Sequence, residues 1–410
     1  MSLFSLHPKG ERIGTIIDIG SASVLVAIIS SKIGEAYPKI IWSHREHAPL
    51  RNVDSVEQSA KAVMTAFMNA LLQFDGEGRR ALSSYKNSAK ISELQCTIAA
   101  PWSYTVTKSI NYEQDEAFEI SNNLIDQLIS TANAKTISEI NENDSINNLG
   151  LTVVARATLD LLANGYRIKN AEREKTKTLS LNHASSITQQ YLVNMIDEMK
   201  DKLFASASCH KISYVLALNY VIQDLFSDVN DLCLLNITYE ATEIGVVRDG
   251  ILHYSTHAPF GSFSLAREIS NITSVPLYEA FGYLHTDTPY SFMEALPSNQ
   301  REAVDAVFEA YVQSITELFH ETGDDLSIPK RIYLHADLMS EPLFGDLIEK
   351  AVKRSIKSDP SIKLITPIIL KKILSDKTNK SPGTTPEDTA MLVSAQFFHK
   401  QGQLQTIEYL

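Results

Sequence analysis

Ile13-Gly14-Thr15-Ile16-Ile17-Asp18-Ile19-Gly20-Ser21-Ala22-Ser23-Val24-Leu25-Val26-Ala27-Ile28-Ile29 is a pair of β-branched runs around a patch of small residues. Ile13 to Ile17 and Val24 to Ile29 predict strands, with Asp18 to Ser23 as the turn. Ser31-Lys32-Ile33-Gly34 turns the chain again, and Pro38 to Trp42 reads as a third strand. Val56, Ala60, Val63, Met64, Phe67, Met68, Leu71 and Leu72 then fall at helical spacing. The order returns later in the chain. Leu232 to Leu235 is an apolar run, Asn236 to Thr242 the turn and Ile244 to Val247 the returning strand. Arg248-Asp249-Gly250 and Ile251 to Ser255 complete the unit. Asn236 follows Asp18 by 218 positions. A duplicated strand-turn-strand-turn-strand unit implies two similar subdomains facing each other.

A tight turn sets consecutive backbone N–H groups on one side, and small residues let a phosphate come close. Gly20, Ser21, Ala22 and Ser23 have suitable sizes. Asp18 at the strand end is placed to hold a hydrated Mg²⁺. Two such turns would grip a nucleoside triphosphate from both sides. Asp-Ile-Gly-Ser is equally an ordinary β-turn sequence, so the motif alone leaves both readings open.

Between the repeats, residues 75–93 are polar and carry Gly76 and Gly78, which reads as a loop. Leu94 to Ala100 predicts a strand ending at Pro101-Trp102, and Ala117 to Ala132 a helix. Residues 133–148 read as a mobile surface loop. Leu149 to Ala157 and Thr178 to Ala184 read as strands around the charged, hairpin-like stretch Lys169 to Lys177. This middle block forms a separate small α+β unit. Further on, helices are expected at 264–270, 277–284, 302–319, 342–355 and 390–398. Strands are expected at 331–334 and 362–365, and a polar loop at 376–387. The apolar side of the helix at 302–319, with Val304, Val307, Phe308, Tyr311, Ile315, Leu318 and Phe319, is expected to be core.

The chain has 410 residues, net charge -12 and 44% hydrophobic residues. That content builds sizeable cores. The acidity argues against general nucleic-acid binding, though a local nest of backbone N–H groups can still hold an anion. Cys96, Cys209 and Cys233 show no metal spacing and fit reduced thiols in a cytosolic protein. His183, His210, His253, His257 and His335 are equally scattered. Met1 to Lys9 lacks a signal-peptide layout, and no stretch approaches the roughly 20 apolar residues of a membrane helix. A cytoplasmic protein with at most peripheral membrane contact is expected. GxSxG, HExxH and GxxxxGK[ST] patterns are missing from the sequence, against the common hydrolase and P-loop classes.

Ile17 to Val24 resembles the first phosphate motif of the actin/Hsp70/sugar-kinase superfamily, and more narrowly that of FtsA cell-division and PilM pilus-assembly proteins. Leu232 to Gly250 resembles their second phosphate motif, and His257 to Ile269 the stretch that follows it. Ile332-Tyr333-Leu334-His335-Ala336-Asp337-Leu338 falls at the adenosine motif. The resemblance implies an α/β, two-lobed, actin-like (RNase H-like, duplicated) fold with a small α+β, SHS2-like insertion. Residues 1–90 would open the first lobe, 91–187 form the insertion, and 188–410 supply the remainder of that lobe and the second. ATP and Mg²⁺ are the implied cofactors. Asp18, Gly20, Ser21, Ala22, Ser23, Asn236, Thr238, Thr242, Ala336 and Asp337 would line the site, with Asp18 on the metal.

The departures from the family pattern bear on activity. The second motif there carries Asp-x-Gly-Gly, and here Asn236, Thr238 and Tyr239 stand in its place. Ala336 and Asp337 replace the glycine pair of the adenosine motif. A lost carboxylate weakens charge compensation for a transferring phosphate. The expectation is a scaffold with weak or no ATP hydrolysis. It would dock the cytoplasmic tail of an inner-membrane protein or a cytoskeletal partner, in pilus assembly or cell division, and self-association is compatible with it. The alternative is an active ATPase or small-molecule kinase of the same superfamily. Lys400 to Leu410, with one lysine and one glutamate, is too short and too weakly basic for the membrane-lying helix of FtsA proteins.

Overall fold

Alternate residues of the second strand belong to opposite faces, and that sets the layers. Leu25, Ala27 and Ile29 join one apolar cluster, while Val24, Val26 and Ile28 join another. A strand covered on both faces reads as a continuous apolar run, which is why Val24 to Ile29 shows no polar alternation. The computed structural model describes residues 10–35, 37–49, 56–142, 150–168, 171–321, 328–337, 341–356, 359–370, 388–401 and 407–410.

The first lobe is built on β1 (Glu11–Ile19), β2 (Ser23–Lys32), β3 (Lys39–His47), β4 (Glu93–Ile98) and β9 (Ser208–Ser213), in the order β3-β2-β1-β4-β9. The second is built on β10 (Leu232–Ile237), β11 (Thr242–Arg248), β12 (Ile251–Ala258), β13 (Arg331–Ala336) and β14 (Ser361–Leu364), in the order β12-β11-β10-β13-β14. Each sheet has three antiparallel strands followed by two parallel ones. The repeat holds residue by residue. Asp18 pairs with Leu25 and Ile19 with Val24; 218 positions on, Asn236 pairs with Glu243 and Ile237 with Thr242. The register shift between Ile28 and Ile29 recurs between Val246 and Val247.

Helices α1 (Val56–Gln73), α2 (Arg79–Tyr85) and α4 (Gln190–Leu203) belong to the first lobe. α6 (Ser262–Thr273), α7 (Leu277–Leu284), α8 (Ser298–Glu321) and α9 (Glu341–Ile356) belong to the second. Val304, Phe308, Tyr311, Ile315, Leu318 and Phe319 of α8 are buried, as core residues, while Val307 is only half-buried against them. Between the two sheets lie α5 (Tyr214–Leu225) and α10 (Thr389–Gln401). Both are buried nearly all round, and their residues share one cluster with strands of both lobes. A helix apolar on every side belongs inside a protein.

The inserted unit carries β5 (Ser103–Glu119), α3 (Asn122–Glu142), β6 (Leu151–Ala163), β7 (Tyr166–Arg167) and β8 (Lys175–Gln189). Its sheet runs β15-β6-β8-β5, and its edge strand β15 (Ile407–Tyr409) arrives from far along the chain. The sequence places the start of this unit at residue 91, but β4 pairs with β1, so the separate sheet begins at Ser103. The loop expected over 75–93 is instead helical as far as Tyr85: Phe74–Gly78 is a π turn leading into α2. Phe74 and Leu82 are buried there, and Gly78 lies under Trp42, where a Cβ would come within 3.1 Å of the indole. The helix expected at 117–132 is displaced, because β5 runs on to Glu119 and α3 continues to Glu142. That helix takes in much of the stretch read as loop; its Asn133 meets His183 at 3.1 Å. The loop expected at 376–387 and Leu338 of the adenosine motif lie outside the described residues. Among the described residues no helix is long and apolar enough to cross a membrane.

Candidate functional site

The two hairpin turns have the same geometry. The Gly20 amide donates to the Ser23 carbonyl at 2.9 Å, and the Thr238 amide to the Ala241 carbonyl at 2.8 Å. They meet across the lobe boundary. The Ser21 hydroxyl accepts from the amides of Tyr239 at 2.7 Å and Glu240 at 3.3 Å. These are the turn amides that a phosphate between the lobes would use, and Ser21 is only 1% exposed.

The second turn is tied down on its other sides too. Thr238 Oγ1 lies within hydrogen-bond distance of the carbonyls of Ala100 and Ala241, at 3.1 and 3.0 Å, and its single proton goes to one of them. The first amides of α6, on Ser262 and Phe263, donate to the Thr238 and Tyr239 carbonyls at 3.0 and 2.8 Å. This approach needs glycine just before the helix: a Cβ on Gly261 would lie 2.3 Å from the Thr238 carbonyl oxygen. Tyr239 stacks on Phe281 with centroids 5.1 Å apart. Glu240 receives both ends of the Arg267 guanidinium, at 2.6 and 3.0 Å, and the Ser59 hydroxyl at 2.5 Å. The turn therefore presents a buried carboxylate of its own.

Asp18 stands at the end of β1, 2% exposed. Its partner is Arg45 of β3, whose Nη2 donates to Asp18 Oδ2 and to Asp388 Oδ1, each at 3.0 Å. Arg45 Nη1 donates to Ser23 Oγ at 2.7 Å, and Thr97 Oγ1 lies 3.3 Å from Asp18 Oδ1. Asp388 also accepts the Met391 amide at 2.8 Å, capping α10. Burial raises the Asp18 pKa against the pull of Arg45. For Asp388 burial pushes the same way, but the charge and hydrogen bonds of Arg45 outweigh it and hold the carboxyl below its usual range.

Asn236 and Thr242 face other partners. The Asn236 amide donates to Glu243 Oε2 at 2.7 Å, and its carbonyl oxygen lies 2.7 Å from His335 Nδ1. Thr242 Oγ1 bonds the Phe260 carbonyl and the Tyr311 hydroxyl. Burial raises Glu243 to about 7 and lowers His335 to about 4. The linkage signs oppose each other. Glu243 contributes stability below its unfolded value of 4.5 that is lost as pH rises through 7. His335 stays neutral in the fold, so its contribution is present above 6.5 and lost as pH falls toward 4. His335→Asn keeps a donor toward Asn236 and removes only the second effect. Between pH 6.5 and 4, urea titration is expected to show the unaltered chain losing about 3 kcal/mol more than this variant.

Ser23, Ala336 and Asp337 line a cavity of about 470 Å³ with Arg45, His335 and Asp388. The Asp337 amide donates to the Ile237 carbonyl at 3.0 Å. Of the expected residues, Ser23, Ala336 and Asp337 line this cavity, and Asp18 reaches it through Arg45. Ser21 is bonded to the opposite turn, Ala22 joins the first lobe's apolar cluster, the Gly20 carbonyl accepts the Trp102 indole N–H, and Thr238, Asn236 and Thr242 bond to other protein groups. Among the described residues the cavity wall carries Asp287, Asp337 and Asp388 against one guanidinium, a setting that repels a triphosphate. With the turn amides bonded to Ser21 and Asp18 bonded to Arg45, these residues do not fit Mg²⁺ with a nucleoside triphosphate.

The sequence reading misses Arg45, Glu240, Arg267 and Asp388. Asp388 carried a usable signal, a capping residue just before the apolar run Ala390 to Phe398. Arg45 carried none, because His44-Arg45-Glu46-His47 looks like a solvated strand end.

No protein-family model matches the chain, and no curated protein matches it in sequence. Solved structures do match in fold. A structure described as the "PilM-PilN type IV pilus biogenesis complex" aligns with TM-score 0.57 and 11% identity, over 96% of this chain and 99% of that one. The ethanolamine utilization protein EutJ from Carboxydothermus hydrogenoformans aligns with TM-score 0.40 and 10% identity, over 96% and 92%. The Lmo2764 protein from Listeria monocytogenes aligns with TM-score 0.43 and 10% identity, over 95% and 99%. The fold is that of the actin-like ATPases.

Proposed function

We propose that this chain is a scaffold on the actin-like fold that works without ATP turnover and docks the cytoplasmic tail of an inner-membrane machine. A PilM-like role in pilus assembly is the first reading, and an FtsA-like role in cell division the second. The observation that carries it is the Ser21 hydroxyl on the Tyr239 and Glu240 amides. Arg45 between Asp18 and Asp388 supports it, since a fixed guanidinium supplies the positive charge that a metal ion would otherwise bring. The likeness to a PilM in complex with PilN supports a membrane-protein partner. The chain's insertion, standing beside the first lobe as its own sheet, supplies a surface for such a tail.

Binding of a small neutral ligand without turnover is a second reading, favoured by the 470 Å³ cavity, which falls within the size range of small-molecule sites. Calorimetry with ATP and Mg²⁺ separates the scaffold from an active ATPase or kinase. No saturable heat is expected at millimolar nucleotide. Micromolar binding abolished by Asp18→Ala would restore the enzyme reading.

A further inference from the structure

The inserted sheet carries, on its outer face, a cation and two buried polar groups without bonding partners. Arg156 of β6 pairs with Ser185 of β8, and Thr158 with His183, so these side chains share one face. It is the face that α3 packs on, since His183 Nε2 meets Asn133 of that helix. The opposite face, with Ala157 and Ala184, belongs to the cluster between the lobes. Ser185 is 1% exposed and its hydroxyl makes no hydrogen bond; His183 is 3% exposed and its Nδ1 makes none. Arg156 is half-buried, its Nε is buried without a partner, and among the described residues it forms no ion pair. A buried polar atom left unbonded costs about 1–3 kcal/mol, so three at one place call for an explanation.

The charges nearby fix what satisfies these groups. Lys108 stands opposite His183 on β5, but its ammonium is bonded to Glu139 of α3. Glu408 stands opposite Arg156 on β15 and is exposed. One free guanidinium, with Lys108 neutralised and Glu408 close by, balances a single negative charge and disfavours more. Its planar fork matches the two oxygens of a carboxylate. The Asn133 carbonyl oxygen faces His183 Nε2 at 3.1 Å, which assigns the ring proton to Nε2 and leaves a lone pair on Nδ1. Burial, aided by the Arg156 charge, lowers His183 to about 4, so the ring is neutral at pH 7. Nδ1 therefore takes a proton donor, and a plain carboxylate has none.

We propose that Arg156, Ser185 and His183 form a binding site for a small hydroxy acid, a monocarboxylate with a hydroxyl group one or two carbons from its carboxyl. Arg156 and the Ser185 hydroxyl hold the carboxylate, and the ligand's own hydroxyl donates to His183 Nδ1. Arg156 has no bond to break, so its side chain re-aims to admit the ligand to the two groups behind it. A nucleoside triphosphate, with its several charges, is rejected by the same charge balance. The site lies on the insertion, away from the cleft, and depends on neither reading of it.

The test is a ligand-observed NMR titration of the full chain at pH 7.5 with lactate and with 3-hydroxybutyrate. Saturable binding on the order of millimolar is expected for at least one of them. Propionate and butyrate, which lack the hydroxyl, should bind at least about tenfold more weakly. Arg156→Gln should abolish the binding, and Ser185→Ala should weaken it about tenfold. Lys177→Gln, which removes an exposed cation elsewhere on β8, should leave it unchanged. No saturable binding of either hydroxy acid by the unaltered chain would overturn the proposal. So would binding that Arg156→Gln and Ser185→Ala both leave intact, or equal affinity for the plain acids. Where a variant does not fold, the comparison of hydroxy and plain acids on the unaltered chain decides by itself. Failure here leaves the nucleotide titration, and with it the account of the cleft, untouched.

Discussion

Arg45→Met is expected to cost about 3–5 kcal/mol at pH 7.5 in urea titration, the range for breaking a buried ion pair from one side. The side chain is 17% exposed and lies between Asp18, at 3%, and Asp388, at 16%. Methionine fills much of the volume but leaves two carboxylates with nothing to compensate them. Two controls isolate the charge. Arg45→Met/Asp388→Asn removes one of the stranded charges while Asn still caps α10, so it should recover part of the loss. Lowering the pH should also recover part. Burial already raises the Asp18 pKa, and without Arg45 it rises further. A raised acid contributes stability that is present below the unfolded value and lost as pH rises through the folded one. The deficit should therefore be greatest at neutral pH and shrink toward pH 4. A pH-independent deficit would mean that Arg45 acts through packing alone.

Trp102→Ala should cost a similar amount, about 3–5 kcal/mol by thermal or urea unfolding, as a large aromatic lost from a core. Trp102 is 1% exposed in the first lobe's cluster, and its indole N–H donates to the Gly20 carbonyl at 2.9 Å. Its own carbonyl accepts the Gln189 amide, so one residue ties the first turn to the point where the insertion rejoins the lobe. Trp102→Phe keeps most of the ring and drops the hydrogen bond, and about 1–2 kcal/mol is expected. A Phe variant as unstable as the Ala variant would place the whole effect in the Gly20 contact.

These two residues show where sequence reading succeeds and where it stops. The duplicated unit was legible because β-branched runs around small-residue turns are a local signal, and the spacing of 218 carries through to strand register and even to the bulge. Helix α5 gives no such signal. Tyr214 to Ile222 is apolar on nearly every side, so the 3.6-residue period is lost in a helix that faces both lobes. The three-residue strand β15 is too short for any period, and its partner β6 lies some 250 positions earlier. The cleft was half legible for the same reason. The turn residues announce themselves, but what fills the space between the turns comes from elsewhere in the chain. Ser21 looked like a phosphate ligand because of its size and place. Only the fold shows its hydroxyl already on the opposite turn. Arg45 and Asp388 stand 343 positions apart, and nothing in either neighbourhood points to the other.

The central claim is that the Tyr239 and Glu240 amides are committed to Ser21 and are not open to a phosphate. Amide hydrogen exchange at these two positions, with and without millimolar ATP and Mg²⁺, tests it most directly. The account predicts slow exchange that nucleotide leaves unchanged and that Ser21→Ala accelerates. Fast exchange in the free protein that becomes saturably protected as ATP is added would contradict it.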